Sequence, residues 1–358
     1  MHTFFCCWLS VAMLLAGALP AGAQPHKPRS SPTMSATQTE TFLLSARPCA
    51  AKGYPMTIHF GAFIRSDGNT FPVPSGHFLQ GNWGQSGISW SVGDNKQPAP
   101  DSLEILYFSY TENTFYEGRF ALPQQRLYEL LKTGFYDTDD KRHATYTELT
   151  VCVLPKGVVV IWLSGGGKQV LVGRFQGNVS DAEFKQFYPK TDRAQMLREE
   201  RAKLPPEVQQ QLAAGTISAK HWDTYLKPYS WQVAFSQPLV LYNYYLTGEN
   251  AEITNYPDTR DMAPFLRALL TPHTWCVPAK LGLYVRDEAG HRYCLRVRAF
   301  DETQTQAAFQ ALHQASPTHP LTLRVETDKY LKKATLVLTD GTKTIPLTKS
   351  PVAITAEE

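Results

Sequence analysis

The most constraining feature of this 358-residue sequence is a pair of apolar runs, Glu148 to Leu154 and Val158 to Leu163, separated by Pro155-Lys156-Gly157. Runs this short and this rich in Val, Leu and Ile form strands, and Pro followed by Gly supplies a tight turn, so the segment predicts a β-hairpin. Similar punctuation recurs on both sides. Met56 to Phe60 alternates apolar and polar residues before the turn at Asp67-Gly68-Asn69. Leu103 to Tyr110 has the aliphatic and aromatic content of a strand, with Arg119 to Leu122 as its partner. Pro123 opens a helical stretch to Lys132, and Ser164-Gly165-Gly166-Gly167 turns the chain into Val170-Leu171-Val172.

Residues 181–226 change character. Charged, helix-favouring sequence predominates, Pro205-Pro206 starts a helix that Gly215 ends, and Trp222, Tyr225, Tyr229 and Trp231 form an aromatic group expected to pack helices on a sheet. Strand signals return from Leu239, with a hairpin over 279–297, a helix over 304–314, and strands at 322–327 and 334–338. The expected architecture is α+β: antiparallel β-sheets with short packing helices, in two related halves joined by a helical connector. The expected division is a signal peptide (1–23), a disordered tether (24–41), a β-rich N-terminal domain (42–180), the connector (181–236) and a C-terminal α+β domain (237–358). The relatedness rests on Gly61 to Gly68, which resembles Gly282 to Gly290, each downstream of a cysteine, Cys49 and Cys276.

Phe4 to Leu19 is apolar apart from Ser10 and precedes Ala21-Gly22-Ala23, a signal-peptidase pattern with cleavage between Ala23 and Gln24. The run is short for a membrane span, so the expectation is export to the periplasm and a soluble mature chain without stable membrane insertion. Cleavage leaves Cys49, Cys152, Cys276 and Cys294. An even count in an exported chain points to two disulfides; three pairings are open, and proximity favours Cys49 with Cys152 and Cys276 with Cys294. Buried free thiols are the competing reading.

The formal net charge of +3 is too small for a dedicated nucleic-acid binder. No catalytic signature is complete. Ser164 to Lys168 lacks the Ser or Thr of a phosphate-binding loop, Gln169 standing in its place, and Gly84-Gln85-Ser86-Gly87 lacks the last glycine of a nucleophile elbow. The histidines show no metal-ligand spacing, and His59, alternating with apolar neighbours, is expected to face solvent. No cofactor is implied. Two features fit partner binding: Trp83 beside two glycine-bearing turns, as an exposed anchor, and the acidic loop of Asp137, Asp139 and Asp140. A core tryptophan and a solvated turn are the structural alternatives.

Several fragments occur together in order: Tyr54-Pro55-Met56, Asn82-Trp83-Gly84, Pro98-Ala99-Pro100-Asp101, Tyr107 to Glu112, and Gly157 to Gly167. They resemble the bacterial envelope family catalogued as domain of unknown function 2931, over about residues 48–235. The resemblance implies an envelope protein without an established activity. Many relatives are lipoproteins, a pattern this chain leaves at Gln24. Some are encoded beside type VI secretion effectors, which implies an immunity protein that neutralises a secreted toxic effector. A carbohydrate- or envelope-binding module is the alternative. No functional residues carry over from the family.

Overall fold

The computed structural model describes residues 40–90 and 96–357. The signal peptide, its cleavage point at Ala23 and Gln24, and nearly all of the tether lie outside the described residues. The described residues belong to one compact unit. Among the described residues, short strands and seven short α-helices make an α+β fold, as the sequence implies.

Each half is built to the same plan. In the first, Ser45–Ala50 pairs in parallel with Glu148–Val153, which continues antiparallel through Val158–Gly165 to Lys168–Gln176. Met56–Ile64, Ser102–Ser109 and Thr114–Ala121 form a second, antiparallel layer. The helix Gln124–Thr133 connects the layers and buries Leu127 and Leu131 between its polar turns. In the second half, Tyr229–Phe235 pairs in parallel with Leu321–Thr327, followed antiparallel by Ala334–Thr339 and Thr344–Pro346. Val240–Gly248, Pro278–Arg286 and Arg292–Val297 form its antiparallel layer, and the connecting helix is Glu302–Ala315.

The halves therefore share a connectivity, but not in the register the sequence suggests. By connectivity Met56–Ile64 corresponds to Val240–Gly248, and Pro278–Arg286 to Ser102–Ser109. The likeness between Gly61–Gly68 and Gly282–Gly290 is displaced by one strand, because each is simply a strand running into a glycine-bearing turn.

The two plans fuse into one nine-stranded sheet. The parallel-containing layer of the first half joins the antiparallel layer of the second through the two-residue strand Ile253–Thr254. Two large apolar cores result, beside a smaller cluster of Phe108, Tyr110, Phe115, Phe184 and Leu197. One large core contains Trp162, Val151, Ile161 and Tyr107; the other contains Trp231, Phe309, Leu283 and Leu323. The helical region, Phe184–Phe187, Arg193–Ala202, Pro206–Ala213 and Lys220–Tyr225, follows the first half. The aromatic group expected there divides, since Trp222 joins the first core while Tyr229 and Trp231 join the second.

The expected disulfides do not form: all four described cysteines are free and buried. Cys49 and Cys152 are direct partners on parallel neighbouring strands. Side chains so placed leave the same face of the sheet side by side, whereas a disulfide needs Cβ atoms directed at one another. Burial, reinforced by the neighbouring Cys152 thiol, holds the Cys49 thiol well above its ordinary range. Cys294 lies opposite Tyr284, six residues along the strand from Pro278, which follows Cys276 by two, and so is on the order of 20 Å away. The Cys276 thiol donates instead to Asn250 Oδ1 at 2.9 Å.

His59 also departs from expectation. It sits at the irregularity between Ile58 and Phe60, half-buried, with its ring 4.4 Å from that of Phe187 and 5.2 Å from that of Tyr188. Burial pushes its pKa down to about 4.

Candidate functional site

The turn between Val240–Gly248 and Ile253–Thr254 reads Glu249-Asn250-Ala251-Glu252, which in isolation looks like a solvated loop. It is instead buried, and side chains of the first half hold three consecutive carbonyls. Trp83 Nε1 donates to Glu249 O at 2.8 Å, Trp162 Nε1 to Asn250 O at 2.8 Å, and Gln169 Nε2 to Ala251 O at 2.7 Å. Asn250 and Glu252 complete the turn: Asn250 Oδ1 accepts from the Glu252 N–H, and Glu252 Oε1 accepts from the Leu171 N–H. Every one of these buried polar groups is thereby paired, which is the condition for burying a loop at all.

This clamp sets the Glu249 side chain in the wall of a cleft of about 1040 Å³. The first half contributes Lys52, Tyr54 and Trp83. The helical region contributes Glu207, Gln211, His221, Trp222 and Tyr225, and the second half adds Thr247, Lys280 and Glu302. The aromatic walls are braced from behind. Trp83 meets Trp162 edge-on at 4.8 Å, and Trp222 meets Tyr54 edge-on at 5.0 Å, while the Tyr54 hydroxyl donates to Gln211. Such offset pairs fix ring orientation beyond what area burial alone provides.

Two linked groups of ionisable side chains face this space. On the helix Lys220–Tyr225, His221 and Tyr225 are four residues apart and so share a face; the Tyr225 hydroxyl lies 2.6 Å from His221 Nε2. The same imidazole nitrogen is 3.3 Å from Glu302 Oε1. Burial, and then the Glu302 carboxylate, raise the Tyr225 pKa and keep its hydroxyl protonated. Glu249, only 8 % exposed, is bonded by the side-chain amide of Gln306. Burial pushes its pKa up to about 8 against the opposing effect of that bond, and the nearby Glu302 charge adds to the rise. At neutral pH Glu249 thus presents a largely protonated carboxyl, able to donate as well as accept a hydrogen bond. Among the described residues, no group of three or more His, Cys, Asp or Glu side chains could hold a metal ion.

Of the residues singled out by sequence, Trp83 lines the cleft, half-buried rather than exposed. Asp137, Asp139 and Asp140 do not. They form the turn between Phe135–Asp137 and Arg142–Ala144, where the Asp137 carboxylate accepts the Asp139 and Asp140 N–H groups. Asp139 accepts from the Tyr256 hydroxyl and Asp140 pairs with Arg142, and both side chains are exposed. The Ser164–Lys168 segment is a hairpin turn, with Lys168 bound to Asp258. Sequence reasoning missed Glu249, Glu302 and His221. The one available signal was His221 four residues before Tyr225 beside Trp222, which places a polar pair and an indole on one short helix.

No curated protein and no solved structure matches this chain. One family model does, covering the first half and the helical region to just short of Lys220, so that Glu249 and Glu302 lie beyond the matched segment. Over residues 29–219, more than half its length, the chain matches and belongs to the family described as protein of unknown function DUF2931.

Proposed function

We propose that the protein is an exported binding protein of immunity type, acting in the periplasm, which neutralises a secreted toxic effector by seating a projecting segment of it in the cleft between the halves. The observation that carries this reading is the aromatic wall of Trp83 and Tyr225, backed by the buried Trp222, around the buried carboxyl of Glu249. Trp and Tyr held rigid in a concave site supply large contact area at little entropic cost, and they dominate binding energy at protein interfaces. The type VI connection rests on the family resemblance alone. The experiment is a pull-down from periplasm and culture fluid with the mature chain beginning at Gln24, alongside a Trp83→Ala/Glu249→Ala variant. One secreted toxin recovered at near-equal stoichiometry by the parent, and lost by the variant, is the expected result. Recovery of no secreted protein overturns the reading.

A carbohydrate ligand is the second reading. Aromatic faces together with the Glu249 and Glu302 carboxyl groups in one cleft are the elements that stack on and hydrogen-bond a sugar. Retention on peptidoglycan or a glycan array, with no protein captured, would favour it.

A further inference from the structure

The antiparallel layer of the second half has one face in the core and one in solvent, and the solvent face is unusual in composition. Strand alternation places Val240, Asn243, Tyr245, Thr247, Lys280, Gly282, Tyr284, Arg286, Arg292, Cys294 and Arg296 on it, and the bulged Tyr242 joins them. Leu241, Tyr244, Leu283, Val285 and Leu295 point the other way, into the core. Arg286 and Arg292 are opposed across strands, and both guanidinium groups lie over the ring of Tyr242, at 4.9 and 5.6 Å from its centroid. Tyr245 lies flat: a Cβ on Gly282 would come within 1.9 Å of its ring. The carboxylate of Glu357, at the edge of this layer, is occupied by the Tyr242 hydroxyl. Among the described residues none of Arg286, Arg292 and Arg296 forms an ion pair, and all three are exposed. Thr247 and Lys280, at the far end of the same face, line the cleft, so the two surfaces are continuous.

We infer that this arginine–tyrosine face is a docking surface for an acidic protein partner, whose carboxylates pair with Arg286, Arg292 and Arg296. The inference goes beyond the cleft and does not depend on what enters it. Charge selects the occupant. The chain's own segment 24–39 carries Lys27 and Arg29 and no acidic residue, so it is repelled by the face rather than drawn to it. A second copy docked face to face would oppose arginine to arginine. A membrane surface calls for several protruding apolar anchors beside the cations, whereas this face carries one, Val240 opposite Arg286, and its rings are half-buried tyrosines lying along the sheet. Arg and Tyr are the residues enriched in protein interfaces, and a guanidinium pre-set over an aromatic ring keeps its fork free for bidentate carboxylate binding.

The test uses the mature chain with poly-L-glutamate as a defined acidic polypeptide, in parallel with heparin and with phosphatidylglycerol vesicles. The expected result is binding of poly-L-glutamate that weakens about tenfold or more between low and physiological salt. It should also weaken about tenfold or more in the R286A/R292A/R296A variant, since each lost charge pair contributes a fraction of a decade or more. Should that variant lose its folded circular-dichroism spectrum, R286Q/R292Q, which keeps part of each alkyl stem beside Tyr242, is read by the same criteria. Absence of poly-L-glutamate binding at low salt overturns the proposal, as does equal binding by a folded variant. Tighter binding of heparin or of vesicles than of poly-L-glutamate overturns the assignment to a protein partner.

Discussion

Trp83 and Glu249, 166 residues apart in sequence, meet through one hydrogen bond, the indole N–H donating to the Glu249 carbonyl at 2.8 Å. With the parallel bond from Trp162 to Asn250, it ties the two halves at successive residues of one turn. Replacing Trp83 by Phe keeps a ring but leaves a buried carbonyl without its donor, at a cost of about 1–3 kcal/mol. Trp162→Phe should cost more, because Trp162 is fully buried and its loss adds a cavity. The double variant should depart from additivity, since the two rings touch. Urea midpoints of the four chains check this.

Glu249 makes stability depend on pH in a direction opposite to most carboxylates. Its folded pKa is about 8 against an ordinary 4.5, so between those values the folded state holds a proton that the unfolded state has released. Stability from this group is therefore fully present below about pH 4.5 and is lost as pH rises towards 8. Glu249→Gln, permanently neutral, should flatten that part of the curve. Melting temperatures of both chains from pH 5 to 9 measure it; parallel curves would refute the assignment.

Gly84 and Ala251 should be energetically coupled. Gly84 adopts φ +68°, and a Cβ there would lie 2.4 Å from Ala251 Cβ. Gly84→Ala is expected to destabilise by about 2–3 kcal/mol, from overpacking and left-handed strain together. Ala251 itself stands at φ +64°, so Ala251→Gly relieves strain and removes the colliding carbon. The double variant should thus be more stable than Gly84→Ala alone, which thermal unfolding would reveal.

His59 acts at acid pH. Its folded pKa of about 4 lies below the ordinary 6.5, so its contribution is present above pH 6.5 and is lost as pH falls towards 4. Nε2 is buried without a hydrogen-bond partner among the described residues, and the surrounding rings accommodate an aromatic replacement. His59→Phe should therefore lose less stability than the parent between pH 7 and 4.5, as followed by thermal melts.

Local structure was legible wherever one strand or helix announced itself. The Pro155–Gly157 turn, the hairpin over Pro278–Arg286 and Arg292–Val297, and the helix opened by Pro206 all follow from short-range chemistry. Pairing between distant strands was not legible. Nothing near Cys49 indicates that its strand lies beside Cys152 in parallel, and so their side-by-side geometry, with both thiols free, stayed hidden. The cleft was illegible for a related reason. Glu249, His221 and Glu302 come from three separate segments, and a Glu-Asn-Ala-Glu turn gives no sign of burial until two tryptophans and a glutamine from the other half close on it. Trp83 could be singled out, but the hydrogen bond that fixes its role could not.

The two parallel pairings also set the order of events in folding. Ser45–Ala50 must wait for Glu148–Val153, and Tyr229–Phe235 for Leu321–Thr327, so each half closes only after roughly a hundred residues of intervening chain are available. Such high contact order slows folding and leaves strand edges unpaired for longer. In a chain made from its N-terminus, neither half can lock until its later strand has been synthesised. The nine-stranded sheet lacks its edge strand until Ala353–Glu357, at the end of the described residues, is available.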